Sequence, residues 1–319
     1  MTDLAVPCKV IRMRIAVPDL ISNSYFPVIA ASELGFFGAE GLDVSVELVF
    51  PVNKAYESLR DGSVAFVGGS AHSALAAFPG WRGARLLCAQ AQGMYWFLVM
   101  RSDLGARRGD LDCVKGRRIG AAPWVDMGLK RLLIAAGYDF GRDDIRIAPV
   151  PGALNAGVNF GINAARALEE RKIDGFWANG MGTEVAVRRG VGTVVLDVRR
   201  GDGPRGCFDY TFSAVATTDE IVRTRPDVAA ATVRAIRRTL AELRSDPSRA
   251  TVAARRVFPP DETALIAELI RRDLPYYDPS ISRTTVTGMN RFARELGLID
   301  ADVDYERIVA TQFAPLWQS

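Results

Sequence analysis

Apolar residues at helical spacing from Pro27 to Leu34, closed by Gly35, predict a short helix. The segment before it, Arg14 to Pro18, predicts a strand, and Leu42 to Val49 alternates Leu, Val, Val and Leu with Asp, Ser and Glu as a half-buried strand does. Ala55 to Arg60 predicts a helix stopped by Asp61 and Gly62, and the wholly apolar Val64 to Val67 predicts a strand of the kind buried in a parallel sheet. Gly68 and Gly69 then mark a new helix start. The product is a βαβαβα run whose loops sit where a small ligand is held.

Arg85 to Ala89 and Tyr95 to Arg101 predict two more strands, after which the same grammar restarts. Strands are expected at Arg118 to Ala121, Ile145 to Val150, Gly175 to Ala178 and Thr193 to Val198, and helices at Asp126 to Ala136, Asn159 to Glu170 and Gly182 to Arg189. The halves echo each other in pattern and not in residues. Phe212 to Thr217 reads as a returning strand, and from Pro226 onward the chain is nearly all helical, with one stripe at Ala229, Val233, Ile236, Leu240 and Leu243 and another at Leu265, Ile266, Leu269 and Ile270. Two doubly wound α/β lobes follow from this, joined by two crossings near Met100 to Asp103 and Ser213 to Thr218. Residues 1–102 begin lobe one, 103–212 form lobe two, and 213–319 return to lobe one and add a helical tail packed on it. Two linkers between α/β lobes make a hinge and a cleft.

Composition removes several chemistries. At 319 residues the chain suits two lobes, and 49% hydrophobic with 24% charged residues is an ordinary globular balance. A net charge of +3 with dispersed basic residues gives no nucleic-acid surface. Cys8, Cys88, Cys113 and Cys207 lie far apart with no ligand spacing, so free thiols are expected and no metal or cofactor. A single histidine, His72, leaves almost no material for Ser-His-Asp or His-metal sites. Asp3, Lys9, Arg12 and Arg14 interrupt any apolar leader, and no run approaches a membrane span, so the chain as written reads as cytoplasmic, and as periplasmic if a leader was omitted or the start misassigned.

The phrases PVIAASELGFFGAEGLDVSVELV, ESLRDGSVAFVGG, KGRRIGAAP and RKIDGFWANG together resemble the type II periplasmic solute-binding proteins. Within these they are similar to the subgroup serving ABC importers of nitrate, taurine, alkanesulfonates and the thiamin pyrimidine precursor. The resemblance covers about residues 12 to 220 and specifies the fold better than the ligand. It implies closure of two lobes on a small organic anion with an apolar or aromatic body, for uptake through an ABC permease or for sensing, with no nucleic acid and no membrane insertion. It implies ligand contacts at Ser22, Asn23, Ser24 and Tyr25 after the first strand, at Asn53 after the second, and at Gly69, Ser70 and Ala71. In lobe two it implies Ala122, Pro123 and Trp124, with Trp177 and Asn179 completing the set. Helix starts suit an anion because their N–H groups are unpaired and lie at the positive end of the helix dipole.

An enzyme is the alternative, a decarboxylase or desulfinase-like lyase acting on an aromatic acid, or a hydrolase, using Ser24 and His72. The biphenyl sulfinate desulfinase of this fold has a similar Ser-Asn-Cys loop, a catalytic histidine and an arginine before a Gly-Gly pair. Here the loop reads Ser22-Asn23-Ser24, the Phe50 to Lys54 loop has no histidine, and Phe66-Val67 precedes the glycines. A serine without a base is a poor nucleophile, so Ser24 reads as a hydrogen-bonding contact and His72 as a partly packed residue capping a helix turn. The yeast-type pyrimidine synthase of thiamin synthesis pairs a lysine and a histidine with a cysteine cluster. Lys54 and His72 are present here and the cluster is absent. Trp177 stands between cleft wall and lobe core, and Asn155, Asn159 and Asn163 at i, i+4 and i+8 read as a solvated helix face.

Overall fold

The structure is a computed structural model that describes residues 11–153 and 159–318. Asp3, Cys8, Lys9 and Asn155 lie outside the described residues.

Lobe one is built on a five-stranded sheet in the order β2-β1-β3-β10-β4, from β1 (Ile11–Val17), β2 (Leu42–Leu48), β3 (Phe66–Ser70), β4 (Ala84–Ala91) and β10 (Ser213–Thr218). Lobe two repeats the plan as β7-β6-β8-β5-β9, from β5 (Phe97–Arg101), β6 (Arg118–Ala121), β7 (Arg146–Ala148), β8 (Gly175–Ala178) and β9 (Gly192–Asp197). In each sheet four strands run in one direction and one antiparallel strand is inserted among them, β10 between β3 and β4 and β5 between β8 and β9. Helices α1 (Phe26–Glu33), α2 (Phe36–Ala39) and α3 (Val52–Arg60) connect the first lobe, and α4 (Asp126–Ala135), α5 (Phe160–Glu169) and α6 (Gly180–Arg188) the second. Gly35 and Gly137 end α1 and α4 in the left-handed conformation their missing Cβ allows (φ 78° and 91°).

Three sequence boundaries move. Gly68 and Gly69 lie inside β3, opposite β10, and not at a helix start, because the returning strand completes the ladder across them. The first crossing is at residues 92–96, not near Met100: β5 pairs with β8 and β9 and therefore belongs to lobe two. An apolar run states that a strand is buried but not which sheet receives it. The second crossing is at residues 198–212, not near Ser213 to Thr218, which is strand β10 of lobe one's sheet, and it lies beside the first. The Met94 N–H donates to the Phe208 carbonyl at 2.9 Å, and Gly93 (φ 71°) leaves no room for a Cβ against the Phe208 ring.

The tail comprises α7 (Asp219–Thr224), α8 (Pro226–Ser245), α9 (Arg249–Ala254), α10 (Pro260–Asp273), α11 (Arg283–Glu295) and α12 (Tyr305–Ile308). It does not pack on lobe one alone. α8 lies on α1, α2 and β4, whereas α10 packs against α6 of lobe two, where Arg188 meets Glu268 at 2.5 Å. On α10, Leu265 touches the lobe-two core, while Ile266, Leu269 and Ile270 enter a core that spans both lobes, from Ile15 and Phe26 to Leu98, Leu129 and Leu133. Each lobe also keeps a cluster of its own. Among the described residues, no helix is long and apolar enough to cross a membrane.

Candidate functional site

Between the lobes, at the carboxyl ends of β1, β6 and β8, lies a cavity of about 40 Å³. Pro18, Asp19, Tyr25, Phe50 and Val52 wall it from lobe one, Trp96 from the first crossing, and Ala122, Pro123, Val125, Phe160, Trp177, Ala178 and Asn179 from lobe two. Small-molecule sites run to a few hundred Å³, so the lobes here are shut on themselves. A larger hollow of about 760 Å³ lies beside Arg12, Arg14, Arg60 and Arg225, where strand β1 starts. The smaller cavity is the candidate site, because open α/β sheets bind ligands at their strands' carboxyl ends.

One carboxylate organises the cavity. Asp19 follows β1 directly, is 8% exposed, and accepts the Ile21 N–H of its own loop at 2.9 Å. From lobe two it accepts the side-chain amide of Asn179 at 2.9 Å and that of Asn159. Those asparagines cap two helices: the side-chain Oδ1 of Asn159 takes the Ile162 N–H of α5 at 2.8 Å, and that of Asn179 takes those of Met181 and Gly182 on α6. Burial pushes the Asp19 carboxyl up to about 6 against these three hydrogen bonds, which act to lower it. Gly161 and Gly182 let the two helices start side by side, since a Cβ on Gly182 would stand 2.6 Å from the Gly161 Cα.

Behind Asp19 the Ser22-Asn23-Ser24 loop is fully buried. The Asn23 amide donates to Asp273 at 2.5 Å, Asp273 pairs with Arg199 at 3.5 Å with both side chains 3% exposed, and the Tyr277 hydroxyl donates to the Asn23 carbonyl. The Ser22 hydroxyl accepts the Ser24 N–H, and the Ser24 hydroxyl is buried without a partner. Tyr25 and Tyr95 share a hydroxyl contact of 2.9 Å.

His72 is a second link between lobes. Its Nε2 lies 3.1 Å from the Trp124 carbonyl, which only accepts, so Nε2 carries the proton and Nδ1 accepts from the Thr211 hydroxyl at 2.9 Å. Burial drives the ring's pKa down to about 4, so it is neutral. The ring is wholly buried among Trp96, Trp124 and Phe292, and so is not a partly packed cap.

Of the residues singled out from sequence, Tyr25, Ala122, Pro123, Trp177 and Asn179 line the cavity. Ser22, Asn23 and Ser24 form the layer behind it. Asn53 instead binds Glu57 on its own helix. Gly69, Ser70 and Ala71 are interior to lobe one: the Tyr56 hydroxyl donates to the Ser70 carbonyl, and the Ala71 and His72 amides are already bonded to Phe212 and Thr211. Trp124 packs on lobe one's core from lobe two, in a left-handed backbone conformation (φ 70°) that L side chains rarely adopt, and does not line the cavity. Asn159 is a helix cap bound to Asp19 and not part of a solvated face. Asp19, Phe50, Trp96 and Phe160 were not singled out. The acid standing directly after the first apolar strand was the signal for Asp19, whereas Trp96 was hidden by its inclusion in strand YWFLVMR.

A family model described as NMT1/THI5 like matches residues 22–250. Among curated proteins none matches. Among solved structures, one from Bordetella bronchiseptica RB50 superposes with a TM-score of 0.76 at 20% identity, over 97% of this chain and 96% of that one. The alkanesulfonate-binding protein SsuA of Xanthomonas axonopodis pv. citri, bound to MOPS, gives 0.70 at 13% identity over 96% and 97%. A DszB variant in complex with biphenyl-2-sulfinic acid gives 0.63 at 17% over 96% and 98%. At these identities the likeness shows the fold, that of the type II periplasmic binding proteins.

Proposed function

Because this chain belongs to the NMT1/THI5-like family, we propose that it is a solute-binding protein whose two lobes close on a small organic molecule and release it unchanged. The observation carrying this reading is the Asp19 bridge to Asn159 and Asn179, in which one lobe holds the helix starts of the other around a cavity lined by aromatic rings. Ligand contacts made only in the shut form stabilise that form, which is closure by population shift. Among the described residues no base contacts the Ser24 hydroxyl, and His72 is committed to Thr211 and Trp124, which supports binding without turnover. Membership of this family, with structural relatives such as the ligand-binding component of an ABC-type import system from Staphylococcus aureus, supports a periplasmic location and delivery to an ABC permease.

The test is identification of the molecule that co-purifies with the native protein, by mass spectrometry, followed by titration back into the stripped protein. Saturable binding with contraction in X-ray scattering and no chemical change is expected, whereas turnover of that molecule overturns the reading. Trp177→Ala, which removes a wall of the cavity, is expected to weaken binding by about 1–3 kcal/mol in calorimetry.

A further inference from the structure

Helix-start amides attract anions only where they are free, and five of those in this chain are already taken. Ile162, Met181 and Gly182 give their N–H groups to Asn159 and Asn179, and Ala71 and His72 give theirs to Phe212 and Thr211. Both asparagines in turn point their amide N–H groups at the Asp19 carboxylate. The chain's own acid thus stands where an anionic ligand would meet lobe two. Among the described residues, neither lysine nor arginine lines the cavity. Arg199 and Arg272, in the layer behind, are turned to Asp273 at 3.5 and 3.4 Å, and Arg272 also to Glu184, although each keeps one buried Nη2 that takes no partner among the described residues. What remains is a carboxylate and the aromatic walls Tyr25, Phe50, Trp96, Phe160 and Trp177.

We propose that the cleft selects a small organic cation with N–H donors, an alkylammonium or amidinium carrying an apolar or aromatic body, with Asp19 as its counter-charge. Asn159 and Asn179 belong to lobe two and Asp19 to lobe one, so opening removes both amides and leaves the carboxylate with only the Ile21 N–H. A ligand's N–H groups then take the places the two amides hold in the shut form. Aromatic faces attract a desolvated cation through their quadrupoles, and a buried carboxylate without a charged neighbour repels an anion and attracts that cation more strongly than in water. The proposal rests on the solute-binding reading and adds the sign of the ligand's charge.

Phenethylammonium and benzamidinium, titrated against phenylmethanesulfonate and phenylacetate at pH 7.5 by calorimetry with X-ray scattering in parallel, test it. We expect a cation to bind at least tenfold more tightly than either anion and to contract the protein. Asp19→Asn, with its fold checked by circular dichroism, is expected to lose at least tenfold in cation affinity. Asn159→Ala keeps the acid and removes a competing amide, and is expected to bind the cation more tightly. An anion that binds and contracts the protein while the cations do not overturns the charge assignment and leaves the solute-binding reading standing. Unchanged cation affinity in Asp19→Asn does the same. Silence of all four probes in both measurements counts against the two together.

Discussion

Asp19 and His72 titrate in opposite senses on folding. The Asp19 carboxyl, near 3.8 when exposed, sits at about 6 in the fold, so its contribution to stability is complete below about 3.8 and is lost as pH rises through 6. The His72 ring, near 6.5 when exposed, sits at about 4, so its contribution is complete above 6.5 and is lost as pH falls through 4. Each shift is about 3 kcal/mol at roughly 1.4 kcal/mol per pKa unit. The two slopes therefore nearly cancel between pH 4 and 6.5. Denaturant unfolding across that range checks this: Asp19→Asn is expected to be more stable than wild type at pH 7.5 by up to about 3 kcal/mol, since it keeps a neutral side chain where the charged form is disfavoured. Its advantage should vanish toward pH 4. His72→Gln should be less stable than wild type at pH 7.5 and close that gap on acidification. Parallel pH profiles for wild type and both variants would remove the two groups as linked titrations.

At the scale of elements, the cavity depends on how closely α5 and α6 begin. Gly182 faces the Gly161 backbone, with a Cβ at that position only 2.6–2.7 Å from its atoms, so Gly182→Ala must push the helix starts apart. Overpacking of this kind costs about 1–3 kcal/mol, and the displaced caps should lose their grip on Asp19. Thermal unfolding should show the loss. Wild-type stability in Gly182→Ala would mean that the helices have slack. The glycine-containing GVNFG and WANGMG segments were legible as helix starts, but nothing in either segment says that it meets the other, because that contact joins residues 21 positions apart through lobe two's sheet.

Across the whole molecule, the tail holds the two lobes to each other. Asp273 at the end of α10 accepts from Asn23 of lobe one and pairs with Arg199 of the second crossing, whose guanidinium also lies over the rings of Tyr95 and Tyr276. Asp273→Ala leaves the Arg199 charge buried and unpaired, at a cost of about 3–5 kcal/mol. We expect lower stability in denaturant unfolding together with a more open apo form in X-ray scattering; an unchanged radius of gyration would confine the pair to stability alone. The strands, the order of helices and the two-lobed plan were legible in the sequence, because alternation, apolar runs and glycine stops are local properties that packing then keeps. The sheet that receives β5, the lobes that α10 joins, the commitment of His72 and the meeting of Asp19 with two distant asparagines were decided only by tertiary structure. Those outcomes depend on which buried polar groups find partners when the lobes come together, and a hydrogen bond between residues 140 or 160 positions apart leaves no trace in the spacing of either one.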